Sequence, residues 1–393
     1  MSAFPGLVAG ELESRGARWT AGEIAQQPAV WCAVGDLVVR ERARLDAFVQ
    51  PLLAHPGLRV VLTGAGTSAF IGDCLAPRLS ALLDRRVDAI ATTEILSGPQ
   101  LRLPTDGPTL LVSFARSGNS PESVAAVELA EQFLPGRVSH LVITCNADGA
   151  LAARAHALAN TCALLMPEAA HDRGFAMTSS FSAMFLAGAM AFRLVDGGAA
   201  MRLARAAEDL LPRAAALAQR LVSRGFERVV YLGSNELRGL AAEAALKLLE
   251  LTDGRVVAVA ESTLAFRHGP KTIINERTLV VVLLSNDAYA RSYDRDLLRE
   301  LRRDGRAGGL LALGARPDGI GDVESLIIPA MSDASDLELV PLLVLVAQSY
   351  ALIQSLALGL TPDLPDPAGT VNRVVQGVTI HPWNGAGRDV PRR

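Results

Sequence analysis

Leu58-Arg59-Val60-Val61-Leu62-Thr63 runs directly into Gly64-Ala65-Gly66-Thr67-Ser68. An apolar run of this length, cut off by glycines, reads as a buried strand entering a tight turn. Similar β-branched runs follow at Arg86–Ala91, Thr109–Ser113 and Val138–Cys145, separated by helical patterns such as Pro121–Phe133 and Ser179–Phe192. Strands alternating with helices predict βαβ units around a parallel sheet covered on both faces. A second alternating set begins near Glu227, with strands expected at Arg228–Gly233, Arg255–Ala260, Thr278–Leu284, Gly309–Leu313 and Ser325–Ile328. The helix Asn235–Leu251 falls inside this set, and Ala199–Ser223 joins the two.

The halves echo each other. Val60–Gly64 resembles Val229–Gly233 at an offset of 169, and Leu110–Ser113 resembles Val282–Ser285 at 172. The expected fold class is therefore α/β, with two doubly wound parallel-sheet domains related by duplication. The divisions are a helical segment over 1–50, a first domain over 51–198, a linker helix and second domain over 199–360, and an extended Pro/Gly-rich tail over 361–393.

Composition narrows the function. The chain has 393 residues, is 50% hydrophobic and 20% charged, and carries a net charge of −3. Its apolar content excludes a disordered chain, and the missing basic surplus argues against binding nucleic acid by charge. Cys32, Cys74, Cys145 and Cys162 form no C-x-x-C pair and fit a reduced, cytoplasmic protein. Residues 1–16 lack a basic stretch followed by an apolar run, so no signal peptide is expected. Leu339 to Leu360 is uncharged over a membrane-spanning length, but Pro341, Gln348, Ser349, Gln354 and Ser355 favour a buried helix and no membrane partner. Only Lys247 and Lys271 are lysines among 38 basic residues, which singles out two positions where a compact ammonium replaces the usual guanidinium.

Two loops carry the candidate chemistry. Gly64-x-Gly66-x-x-Ala69 nearly satisfies a dinucleotide fingerprint, with Asp84 20 residues on, but Asp84 precedes the second strand rather than ending it. The P-loop alternative lacks its Gly-Lys-Ser/Thr. After the strand at Leu110–Ser113 comes Phe114-Ala115-Arg116-Ser117-Gly118-Asn119-Ser120-Pro121, where Ser120 suits an N-cap and Pro121 a first helical turn. Each helix N-terminus offers roughly half a positive charge, whereas a phosphomonoester carries about −1.5 to −2. Arg116 is the candidate to balance the remainder, beside the hydroxyls of Ser68, Ser117 and Ser120. A single phosphate fits this cradle better than a dinucleotide. In the second half, Glu243, Lys247 and Glu250 share one helical face. They read either as a solvated ion-pair stripe or as partly buried groups with displaced pKa values. His268, held at a turn by Gly269-Pro270, is the histidine best placed for a role; no histidine shows metal-ligand spacing, and neither metal nor cofactor is expected.

Taken together, Gly66-Thr67-Ser68, Ser117-Gly118-x-Ser120, Ala245-Leu246-Lys247-Leu248-Leu249-Glu250 and His268-Gly269-Pro270 resemble the two-domain sugar isomerase (SIS) family. The isomerase half of glucosamine-6-phosphate synthase is its best-known member. The longer strings Ser113–Ser123, Glu261–Lys271 and Gly369–Thr379 resemble the galactosamine-6-phosphate deaminase/isomerase family, also labelled tagatose-6-phosphate ketose/aldose isomerase. The resemblance implies an amino-sugar phosphate substrate, held by Gly66, Thr67, Ser68, Arg116, Ser117 and Ser120. It implies Glu250 as the base between C1 and C2, Lys247 as a charge stabiliser, and His268 as the ring-opening residue, reaching the neighbouring subunit's site in a homodimer. Thr178 and Ser179 match a Ser-Thr pair that touches the sugar hydroxyls. Ala115 and Arg116 depart from the synthase's serine and glutamine, and no lysine follows Lys271 to match its tail lysine. Without a glutaminase domain the amino-sugar reaction runs toward release. A plain phosphosugar isomerase and a non-catalytic phosphosugar sensor stay open as alternatives.

Overall fold

Three helices lead the chain: α1 (Ala9–Ser14), α2 (Arg18–Ala25) and α3 (Gln27–Leu53). The computed structural model describes residues 4–103, 106–375 and 377–383, so part of the expected tail lies outside the described residues. Helix α3 buries Trp31, Val34, Val38, Leu45 and Val49 along one face, and Trp31 Nε1 donates to Ser182 Oγ at 2.9 Å.

The first half comprises β1 (Arg59–Thr63), α4 (Thr67–Leu83), β2 (Val87–Ala89), α5 (Thr92–Ser97), α6 (Pro99–Arg102), β3 (Thr109–Ala115), α7 (Pro121–Phe133), β4 (Val138–Thr144), α8 (Ala150–Ala157), β5 (Thr161–Leu165) and α9 (Ser179–Ala191). Helix α10 (Ala199–Val222) leads to β6 (Arg228–Gly233), α11 (Glu236–Leu251), β7 (Val257–Ser262), β8 (Thr278–Leu283), α12 (Ala288–Asp304), β9 (Gly309–Gly314), β10 (Glu324–Ile327) and α13 (Asp336–Ala357). The sheets run β2-β1-β3-β4-β5 and β7-β6-β8-β9-β10, with every pairing parallel. Counted from the first strand of each half, the two orders are the same. Register corrects one detail: Arg59 pairs Thr109 and Arg228 pairs Thr278, so one offset, 169, relates both strand pairs.

Strand β5 escapes the sequence reading because Thr-Cys-Ala-Leu-Leu has little β-branched character; it is selected by pairing with β4. Asp84 is the left-handed C-cap of α4, φ +47°, which removes it from any dinucleotide role. Helix α13 is long and apolar enough to cross a membrane, yet its apolar window is wholly buried and a Ser335–Glu338 capping box starts it. The helices that follow the first strand of each half, α4 and α11, pack on each other. At their crossing a Cβ on Gly239 would stand 2.8 Å from the Cys74 amide nitrogen, so only glycine allows this approach.

Candidate active site

Strands β1 and β3 are neighbours at the point where the strand order of the first sheet reverses, which is where open α/β sheets take ligands. The loop after β1 turns at Gly66, φ +54° and ψ −127°, a region open to glycine, and presents Thr67 and Ser68 in the first turn of α4. The loop after β3 is tied down from within. Ser120 Oγ accepts from Ser123 N at 3.3 Å, and Ser117 Oγ accepts from Asn119 N at 3.3 Å. Asn146 Nδ2 donates to the Ser117 carbonyl at 2.8 Å. Two helix N-termini and the hydroxyls of Thr67, Ser68, Ser117 and Ser120 thus lie on neighbouring loops, with the buried carboxyl of Glu122 in the first turn of α7.

Arg116 gives the cradle its charge. It is 7% exposed and donates to two carbonyls, Phe175 O at 3.1 Å and Arg373 O at 2.6 Å, and among the described residues it forms no ion pair. Burial, and then the like charge of Arg373, pushes its pKa below the usual guanidinium range. The Arg373 guanidinium itself donates to the Asp172 carbonyl. Arg116, a buried guanidinium that donates to carbonyls, with the exposed Arg373 beside it, is a group that an anion would complete, because buried charges are otherwise paired.

Helix α11 brings the second set of residues to this place. Lys247 is fully buried, bonds Glu250 Oε2 and stands 3.7 Å from Glu243 Oε1. Glu250 retains 25% side-chain exposure, so of the two carboxylates it is the one open to solvent. Glu250 and Lys247 both act electrostatically on Arg116, so helix α11 lies near the loops after β1 and β3. Burial depresses the Lys247 pKa, but the Glu243 and Glu250 carboxylates outweigh it and hold the ammonium charged. Burial pushes Glu243 up to about 8, with Lys247 opposing and Glu250 adding to the rise. Of the two readings of the face, the structure shows the buried one: Lys247 and Glu243 are fully buried and Glu250 mostly so, rather than forming a solvated stripe.

A pH dependence follows. A carboxyl with a native pKa near 8 and an ordinary value of 4.5 lets the folded chain hold more protons than the unfolded one between those limits. Stability is fully present below the lower value and is lost as pH rises through the upper one. Glu23, buried against Asp172, is likewise pushed up to about 8. The thermal midpoint is expected to fall between pH 6 and 9, and Glu243→Gln to flatten that slope. An unchanged slope in the variant would refute the assignment.

The segment leading into α9 forms the remaining wall. Asp172, fully buried, accepts from the amides of Thr178, Ser179 and Ser180 at 2.7, 3.1 and 2.9 Å, closing the N-terminus of α9. Thr178 and Ser179, expected to touch the sugar hydroxyls, stand at the start of this helix. Both are fully buried, with Thr178 Oγ1 committed to Asp172 and Ser179 Oγ to the Glu23 carbonyl at 2.6 Å. The residues that reach the loops from this segment are Phe175, through its carbonyl, and Met177, whose sulfur lies 3.9 Å from Ser68 Oγ. No sequence pattern marked Phe175, Met177 or Asp172. His268 is exposed between two 3-10 turns, and its imidazole makes no hydrogen bond or ion pair among the described residues.

The equivalent place in the second half is filled by the chain itself. By register Ser68 corresponds to Leu237 and Arg116 to Ser285. Asp294 accepts from Ser234 Oγ at 2.7 Å and Ser285 N at 3.0 Å, and Asp336 accepts from Ser285 Oγ and from Asn286 N at 2.6 Å. Carboxylates occupy the donors that would serve an anion, leaving one open cradle per chain.

A doubled parallel sheet of this order, with serine-bearing loops beside a Glu–Lys helix, points to the sugar isomerase proteins, and the SIS domain model matches residues 52–194. An AgaS protein of Streptomyces coelicolor is 53% identical over 369 residues, covering 93% of this chain and 96% of its own length. The D-galactosamine-6-phosphate deaminase AgaS of Escherichia coli is 46% identical over 374 residues, covering 93% of this chain and 96% of its own. A crystal structure of tagatose-6-phosphate ketose/aldose isomerase from Escherichia coli superposes with a TM-score of 0.89 at 41% identity, covering 97% of this chain and all of that one. The chain belongs to the AgaS family of SIS-domain proteins.

Proposed function

We propose that the protein converts galactosamine-6-phosphate and water to tagatose-6-phosphate and ammonia. The observation that carries this reading is Arg116, buried without a carboxylate partner beside the serine loops and within the field of Glu250. The phosphate sits against Ser68, Ser117 and Ser120 and the amides at Gly66 and Thr67, with Arg116 balancing its charge. Glu250 removes the C2 proton of the open-chain aldehyde and returns it to C1. The electron pair moves through an enolamine, and the Lys247 ammonium stabilises the negative charge that develops on O1. Protonation at C1 leaves an imine at C2; water adds to it and the C2–N bond breaks, releasing ammonia. These steps move protons and water only. His268 assists ring opening from a neighbouring subunit of a homodimer, in keeping with an exposed imidazole that has no partner among the described residues.

The test is ammonia release from galactosamine-6-phosphate, run beside glucosamine-6-phosphate. Stoichiometric ammonia and ketose phosphate are expected, with the rate ratio naming the preferred sugar. Interconversion of unaminated sugar phosphates without ammonia would make the protein a plain isomerase. Binding without turnover would make it a sensor, a reading that leaves the buried Glu243–Lys247–Glu250 triad without a task.

A further inference from the structure

The second lysine of the chain, Lys271, lies outside the site just described, and its surroundings give it a purpose. His268 follows the 3-10 turn Ala265–Arg267 and precedes the turn Pro270–Ile273, with Gly269 at φ +123° between them. Short 3-10 turns joined by a glycine hold their shape poorly alone. Phe266, fully buried, anchors the first turn in the core beside the second sheet. The other restraints come from α12. Glu300 accepts from Arg267 Nε at 2.7 Å through one carboxylate oxygen and from Lys271 Nζ through the other. Lys271 Nζ also reaches Asp304 Oδ2 at 2.5 Å. One carboxylate thus grips the residues one before and three after His268. A single ammonium serves two carboxylates one helical turn apart, which suits the compact, rotating donors of lysine better than a planar guanidinium. The Lys271 and Arg267 bonds hold the Glu300 carboxyl below its usual range, so the grip persists at neutral pH.

We propose that Glu300, seconded by Asp304, is a positioning residue for catalysis: through Arg267 and Lys271 it fixes the turn that presents His268. The inference rests on the ring-opening role of His268. An imidazole without side-chain partners is aimed by its backbone alone, and a misplacement of about 1 Å at a reacting group can cost roughly 100-fold in rate.

The experiment is a double-mutant cycle on the full chain with Glu300→Gln, His268→Asn and the two combined, measuring kcat and KM for galactosamine-6-phosphate and the thermal midpoint. Glu300→Gln is expected to lower kcat about ten- to a hundredfold with KM nearly unchanged, since the phosphate cradle is untouched. In the His268→Asn background the same change is expected to cost less than about twofold. Equal losses in both backgrounds, or no loss from Glu300→Gln, would overturn the proposal. Undiminished turnover by His268→Asn would instead remove the role of His268. Lys271→Arg supplies a second probe should Glu300→Gln melt below the assay temperature: a several-fold loss of kcat, absent in the His268→Asn background, is expected, and full activity would count against the clamp.

Discussion

Glu250→Gln is expected to lower the turnover of galactosamine-6-phosphate by about 10²–10⁴-fold, the range a positioned acid–base group contributes. The amide keeps the size of the side chain and can still accept from Lys247, so the buried end of α11 should fold as before. What it loses is the capacity to take a proton from C2. On that face Glu243 is fully buried and Lys247 is held as a cation, so neither can replace it as a base. Affinity for the phosphosugar should change little, because in the proposed function the loops after β1 and β3, not Glu250, take the phosphate. Exchange of the C2 hydrogen with solvent deuterium isolates the step: it should vanish in the variant while phosphosugar binding persists. Exchange and turnover within a few-fold of the native protein would remove Glu250 from the mechanism.

Arg116→Gln carries the complementary expectation, a loss of binding. Truncating one partner of a buried, hydrogen-bonded charge pair costs about 2–5 kcal/mol, which corresponds to roughly 30- to 4,000-fold in affinity. KM for the phosphosugar should rise by that order, while kcat at saturation falls less, since Arg116 addresses the phosphate and not the reacting carbons. Arg116→Lys restores charge without the planar fork and should recover part of the loss. Calorimetric titration with the phosphosugar measures the change directly. Native affinity in Arg116→Gln would mean that the two helix N-termini and the serines hold the phosphate unaided.

Much of this was legible in the sequence, and the physical reasons for the remainder differ from residue to residue. The glycine turn at Gly64–Gly66 and the alternation of strands and helices are local patterns, and they were enough for two parallel sheets. The Ser120 cap and the 169-residue echo are also local. Strand β5 depends on β4 rather than on its own residues, so nothing local marked it. Whether Lys247 and its glutamates were solvated or buried turned on the packing of α4 against α11, which spacing along one helix does not encode. Thr178 and Ser179 carried the right residue types but answer to Asp172, a carboxylate whose demand for three amides is visible only in three dimensions. Arg373 lay in a tail whose closing over the site the sequence left open; its carbonyl accepts from Arg116 across 257 residues of chain. The carboxylates that fill the second cradle belong to helices separated from it in sequence, and they too required the fold.

The pairing of α4 with α11 joins equivalent helices of equivalent halves, which is the isologous contact by which two identical subunits meet about a twofold axis. Here the subunits share one polypeptide, so the contact is unimolecular and does not come apart on dilution. Fusion also separates the fates of the two sites. In a dimer of identical chains every substitution strikes both copies at once, whereas one chain can place Arg116 in the first loop and Ser285 in its counterpart. In the proposed reaction the halves divide the labour: one would hold the anion, the other would move the proton, and neither alone has both.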